Sequence, residues 1–225
     1  MEETSEVLFH IGPLGVTGEV TTMWVIMALL VLFSILATRR LKEKPGRLQN
    51  LAEMAVEKLH NYYAGILGQE RTSKYFPLLA TLFIFVICTN FSGLFPGAGT
   101  VKGFKAPTSS LSVTAGLSLL VFISLQVLGI KAHGVKGYFA HFVKPMFFML
   151  PFLLIDEIVR PVSLALRLFG NIFGEETVTV QLYQILPIGA PLLMMVLSLL
   201  FCAIQAIVFT MLTAIYLEDA TALET

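Results

Sequence analysis

Six ionisable side chains fall in one short stretch, Asp156, Glu157, Arg160, Arg167, Glu175 and Glu176, of a chain that is 56% hydrophobic and only 13% charged. Carboxylates take up and release small cations, whereas a guanidinium does not lose its proton in a protein and holds a nearby carboxylate ionised. The chemistry within reach of this set is reversible ion binding, with an arginine as permanent counter-charge. Paired acid and base catalysis fits less well. Neighbours in sequence project about 100° apart on a helix, so neither Asp156 with Glu157 nor Glu175 with Glu176 grips one reacting group. No nucleophile, phosphate loop or metal-spaced cluster accompanies them, and His10, His60, His133 and His141 lie in polar segments with nothing grouping them. A membrane enzyme is therefore the weaker alternative, and no cofactor or metal is expected.

Placed on one helix, Asp156, Arg160, Ser163, Gly170, Asn171, Gly174 and Gln181 all fall within about 60° of Arg167. A stripe of polar and small residues with apolar flanks requires water or a protein partner, because lipid would leave its polar groups unsatisfied. Arg167 costs about 2.5 to 3.5 kcal/mol at mid-membrane on insertion scales. Its nearest opposite charges, Asp156 and Glu175, lie beyond the i+4 reach of an intrahelical pair. A structural ion pair elsewhere in the chain is one reading; a fixed cation awaiting a carboxylate from another chain is the better one. Gly170 and Gly174, one turn apart, permit close approach of a further helix, or else simple internal packing.

The elements that must position this stripe are long apolar helices. Uncharged runs Val20–Thr38, Tyr75–Val101, Ala106–Ile130 and Val178–Leu217 are each long enough to cross about 30 Å of hydrocarbon, which needs about 20 residues, and "LPIGAP" divides the last. Between the first two, Leu48, Leu51, Ala55, Leu59, Tyr62 and Ile66 recur at helical spacing opposite Gln49, Glu53, Glu57, Lys58 and Asn61. That segment reads as an amphipathic helix lying on the interface or covering a neighbouring subunit. Net charge is zero, so nothing attracts nucleic acid. Cys88 and Cys202 sit inside apolar runs as buried, inert thiols. Eleven of the fifteen basic residues follow the first and third spans, which puts the N-terminus outside and the C-terminus in the cytoplasm. The acidic N-terminus lacks the features of a cleaved signal.

The segment "SLALRLFGN" (Ser163 to Asn171), preceded by "DEIVRP" and followed by an acid, strongly resembles the signature of subunit a of F-type ATP synthases. "IQAIVFTMLTAIYLEDA" (Ile204 to Ala220) resembles that family's final helix, and the region from Pro77 to Gly97 is similar as well, so the likeness covers nearly the whole chain. It implies a stator beside a rotating ring of c subunits, held with peripheral-stalk b subunits and the remaining ATP synthase subunits in a lipid bilayer. By the resemblance, Arg167 opposes the c-subunit carboxylates and separates two aqueous half-channels. Asn171 and Gln205 line its surroundings, Glu176 is the half-channel acid, and Asp156 and Glu157 stand at a cytoplasmic exit. Glu175 departs from the family pattern, which has a small residue there more often, and leaves open which glutamate relays ions. Ser198, Cys202, Tyr216 and Glu218 are weaker candidates.

The expected fold is an all-α integral membrane protein of five to six embedded helices, including long tilted helices facing the ring. Its expected division is a tail at 1–19, a first span at 20–38, an amphipathic cytoplasmic helix at 48–71 and spans at 75–96 and 109–130. An ion-channel hairpin or long tilted helix at 145–185 and a final helix at 191–217 complete it. A bacterial plasma membrane is the expected location. Proton or sodium specificity is not legible, since its ligands belong to the ring. A self-sufficient channel is disfavoured because the lone arginine needs a carboxylate from elsewhere.

Overall fold

The computed structural model describes residues 7–11, 14–39, 46–94, 104–143, 150–185 and 189–222. Arg40, Lys42, Lys44, Lys102 and Lys144, the start of the tail, the 145–149 portion of the expected channel segment and the first half of the "LPIGAP" break, residues 186–188, lie outside them. Six long helices make up the fold: α1 (Gly18–Thr38), α2 (Arg47–Leu67), α3 (Gln69–Ser92), α4 (Leu111–Val143), α5 (Leu150–Ile185) and α6 (Gly189–Thr221). One feature departs from the helical expectation. Val7–Ile11 (β1) and Leu14–Thr17 (β2) form a small antiparallel hairpin leading directly into α1.

Among the described residues, four helices are long and apolar enough to cross a membrane: α1, α3, α4 as far as Val135, and α6 from Leu192. Helix α5 is as long as these but carries the charged stretch. Helix α1 is peripheral, burying only Glu19 and Thr22 and leaving Trp24, Leu29, Val31, Phe33 and Leu36 exposed. Its foot is fixed by a buried Glu19 carboxylate 3.7 Å from Lys105, which precedes a 3-10 turn at Pro107–Ser109.

Helix α6 is the hub. Its Ala206, Phe209, Ala214 and Leu217 are fully buried against Tyr63 and Leu67 of α2, Leu79 and Val86 of α3, Val121 and Leu125 of α4, and Leu164 and Leu168 of α5. A second cluster, Ala106, Ile172 and Cys202 with Phe91 and Leu94, ties the 3-10 turn to α3, α5 and α6. Cys202 is indeed buried, and Cys88 is half-buried.

Two glycines set chain direction. Gly68, with φ +79°, separates α2 from α3: its N–H donates to Ala64 O (3.1 Å) and its carbonyl accepts from Thr72 N (3.0 Å). The amphipathic helix thus stops before 71, and Glu70, Arg71 and Lys74 belong to the first turns of α3, because charged residues continue a helix beyond its apolar portion. Gly134, with φ +72°, breaks α4. The helix runs on past Ile130 and folds back, bringing Tyr138 against Gly129.

Candidate functional site

Asp156, Glu157, Arg160, Ser163, Arg167, Gly170, Asn171, Gly174, Glu175 and Glu176 share one unbroken helix, α5, despite Pro161, and Gln205 lies on the neighbouring α6. Leu164, Leu168 and Ile172 form the buried face of α5, which turns Arg167 and Gly170 outward into the open. Arg167 makes no ion pair or side-chain hydrogen bond among the described residues. An added Cβ at Gly170 or Gly174 would meet nothing within 4 Å, so internal packing does not explain either glycine.

On one side of Arg167, about two turns back, lies a crowded ionic cleft between α4, α5 and α6. Arg160 donates from Nη2 and Nε to Asp156 Oδ2 (3.0 and 3.2 Å), reaches Asp219 Oδ2 at 3.4 Å and Glu157 Oε2 at 3.9 Å, and lies 4.9 Å over the Tyr216 ring. Tyr138 donates to Gln126 Oε1, and Gln126 Nε2 donates in turn to Glu157 Oε1. Asp156, Glu157, Arg160, Tyr138, Tyr216 and Asp219, with His133, line a cleft of about 80 Å³. Burial, and secondarily the Glu157 charge, push the Tyr138 phenol above its ordinary range.

On the other side, one and two turns on, polar groups face the interior without partners. Buried hydroxyls such as those of Thr89, Thr210, Thr213 and Thr221 satisfy themselves on their own helix backbone. Amides and carboxylates cannot. Both side-chain polar atoms of Asn90, Thr108 Oγ1, Asn171 Nδ2, Glu175 Oε2 and Gln205 Nε2 are sealed from solvent and unbonded in the described structure. Their sequence neighbours Phe91, Ala106, Ile172 and Cys202 pack in one cluster, which places these orphans around the junction of α3, the 3-10 turn, α5 and α6. Ser198 faces the Glu175 carboxylate, and Cys202 lies within range of its charge. Buried polar atoms in this state call for ordered water.

The sequence does not single out Gln126, Tyr138, Asp219, Asn90 or Thr108, which the structure brings into the two polar groups, and Ser198 and Tyr216, weaker candidates in the sequence, lie there as well. Gln126 had a signal: it is the lone amide in the apolar run Ala106–Ile130. Asp156 pairs with Arg160, not with Arg167, and Glu175 faces α6.

A family model described as ATP synthase A chain matches residues 20–218. ATP synthase subunit a of Moorella thermoacetica is 42% identical over 212 residues, covering 94% of each chain. ATP synthase subunit a 3 of Pelobacter propionicus is 43% identical over 205 residues, covering 89% of this chain and 86% of the other. ATP synthase subunit a 1 of Syntrophotalea carbinolica is 41% identical over 210 residues, covering 92% and 86%.

Proposed function

The chain belongs to the ATP synthase A chain family, and from that premise we propose that it is the ion-conducting stator of the complex, with two aqueous half-channels serving the carboxylates of a c-subunit ring. The observation that carries this reading is the setting of Arg167: outward-facing, unpartnered among the described residues, beside two glycines with open space above them, and between two separate polar groups along α5.

A ring carboxylate passing Arg167 comes within reach of a guanidinium, which lowers carboxylate pKa by about 1 to 3 units at about 4 to 6 Å. Its ion is expelled there and leaves through one polar group. Beyond the arginine, facing lipid, the carboxylate must be neutral, and it reloads from the other group. Asn171, Gln205, Ser198, Glu175 and Glu176 line the path on the Glu175 side, with Glu176 the favoured relay; Asp156 and Glu157 stand at the cytoplasmic mouth, and Ser163 lies on the Arg167 face between. At 100 mV each crossing charge contributes about 2.3 kcal/mol, so several are needed per ATP. The chain itself performs no catalysis; the nucleotide chemistry belongs to other subunits. Bacterial relatives and the bias of basic residues support a plasma-membrane setting with the N-terminus outside, the C-terminus in the cytoplasm, and b subunits as further neighbours.

Arg167→Gln tests the proposal. With subunit content verified by gel, the assembled complex should lose coupled ATP synthesis and ATP-driven pumping and should leak ions between half-channels. Near-normal synthesis in that variant would sink the mechanism.

A further inference from the structure

The fold-back of α4 after Gly134 has no role in the mechanism above, yet it delivers a phenol into the ionic cleft. Room for that phenol is made by Gly129: a Cβ there would lie 2.7 Å from Tyr138 Cε2 and 3.1 Å from the Ala220 carbonyl. Tyr138 is buried, and its hydroxyl donates to Gln126 Oε1. An amide whose oxygen is engaged in this way has its NH2 directed oppositely, and Gln126 Nε2 donates to Glu157 Oε1. The second Glu157 oxygen lies 3.9 Å from Arg160, whose closer contacts go to Asp156 and Asp219. The closest described contact of the Glu157 carboxylate is therefore the amide that Tyr138 orients.

We propose that Tyr138 and Gln126 are positioning residues for Glu157, and that the Tyr138–Gln126–Glu157 chain sets how strongly Glu157 holds the transported ion at the cytoplasmic cleft. This rests on the half-channel reading. A donor to a carboxylate favours its ion-free form, because the hydrogen bond competes with the bound cation. Removing the donor makes the carboxylate hold its ion more tightly. Tyr138 acts only through Gln126, so its loss has no effect once the amide is gone. The other titratable or charged groups facing Glu157 are His133 from α4, Asp156 and Arg160 from α5, and Asp219 and Tyr216 from α6.

The test uses the complete ATP synthase in inverted membrane vesicles, whose cytoplasmic face meets the bath. ATP-driven ion uptake is measured against bath ion concentration, as pH for a proton carrier or sodium concentration for a sodium carrier. Gln126→Leu should lower the half-saturating concentration about threefold to tenfold, the range expected for one hydrogen bond, with maximal uptake changed less than about twofold. Tyr138→Phe, an isosteric change, should shift it the same way by a smaller factor. The double variant should match Gln126→Leu alone, and both shifts should persist with His133→Asn, which removes the imidazole that lines the same cleft. Unchanged half-saturation in both single variants overturns the proposal. So do additive shifts in the double variant, or a loss of maximal uptake alone, which would mark a purely structural role. Glu157→Gln with wild-type half-saturation would remove Glu157 from the ion path while leaving the Arg167 mechanism standing; loss of the Arg167 mechanism would be seen separately, in Arg167→Gln.

Discussion

Arg160 and Arg167 stand two turns apart on one helix, roughly 10 Å along its axis, and the fold treats them oppositely. Arg160 is enclosed by Asp156, Glu157, Asp219 and the face of Tyr216. Arg167 projects outward and has none of these among the described residues. The chain completes one guanidinium with its own acids, and the other meets no acid among the described residues. A charge satisfied internally serves architecture; a charge left over in an apolar setting is available to a moving partner.

The largest expected effect comes from exchanging each arginine for lysine. Arg167→Lys should lower coupled ATP synthesis more than about tenfold, since a compact ammonium lacks the planar fork and sheds its proton when desolvated. Arg160→Lys should stay within about threefold, because partly exposed ion pairs contribute only about 0 to 1 kcal/mol each. Synthesis rates in energised vesicles decide this, and equal losses would abolish the distinction. Next in size, Glu176→Gln should reduce synthesis more than Glu175→Gln, the two projecting about 100° apart; the reverse order would move the relay to the residue that faces Ser198.

A third test separates partner-directed features from internal ones. Gly174→Leu should leave the isolated chain as helical and as thermally stable as before, since open space surrounds that position. It should nevertheless diminish copurification of a c ring, because close helix approach relies on small residues. A melting temperature lowered by several degrees in the isolated chain would show that the glycine packs internally after all. Smallest of all, Asp219→Asn should alter the stability of the detergent-solubilised chain by no more than about 1 kcal/mol, given its exposed pairing with Arg160.

Much of this was legible in the sequence. Uncharged run lengths located α1, α3, α4 and α6, and the helical period alone put Arg167 and its glycines on one face. The polar stripe still merged what the fold separates: Arg160 and Arg167 fall on nearly the same face, and they are distinguished by the acids Asp156 and Glu157 within one turn of Arg160 and by the approach of α6, which brings Asp219 and Tyr216. The same limit hid Tyr138 and Gln126, whose contact depends on the angle of the Gly134 break. The strands Val7–Ile11 and Leu14–Thr17 are only five and four residues long, too short for alternation to mark them in the sequence, where the segment reads as a tail. The expected end of the amphipathic helix at 71 differs from the observed Leu67 because Gly68, at φ +79°, stops it there.

Gly68 carries one more consequence, a mechanical one. A single residue joins α2 to α3, and its carbonyl and N–H are both engaged by the flanking helices, so the joint has no slack to pay out. Tyr63 on one arm and Leu79 on the other are both fully buried in the cluster centred on α6. The three helices make a braced corner rather than a hinge. Sideways load on α6 is carried into α2 and α3 together, through the buried side chains that the three helices share.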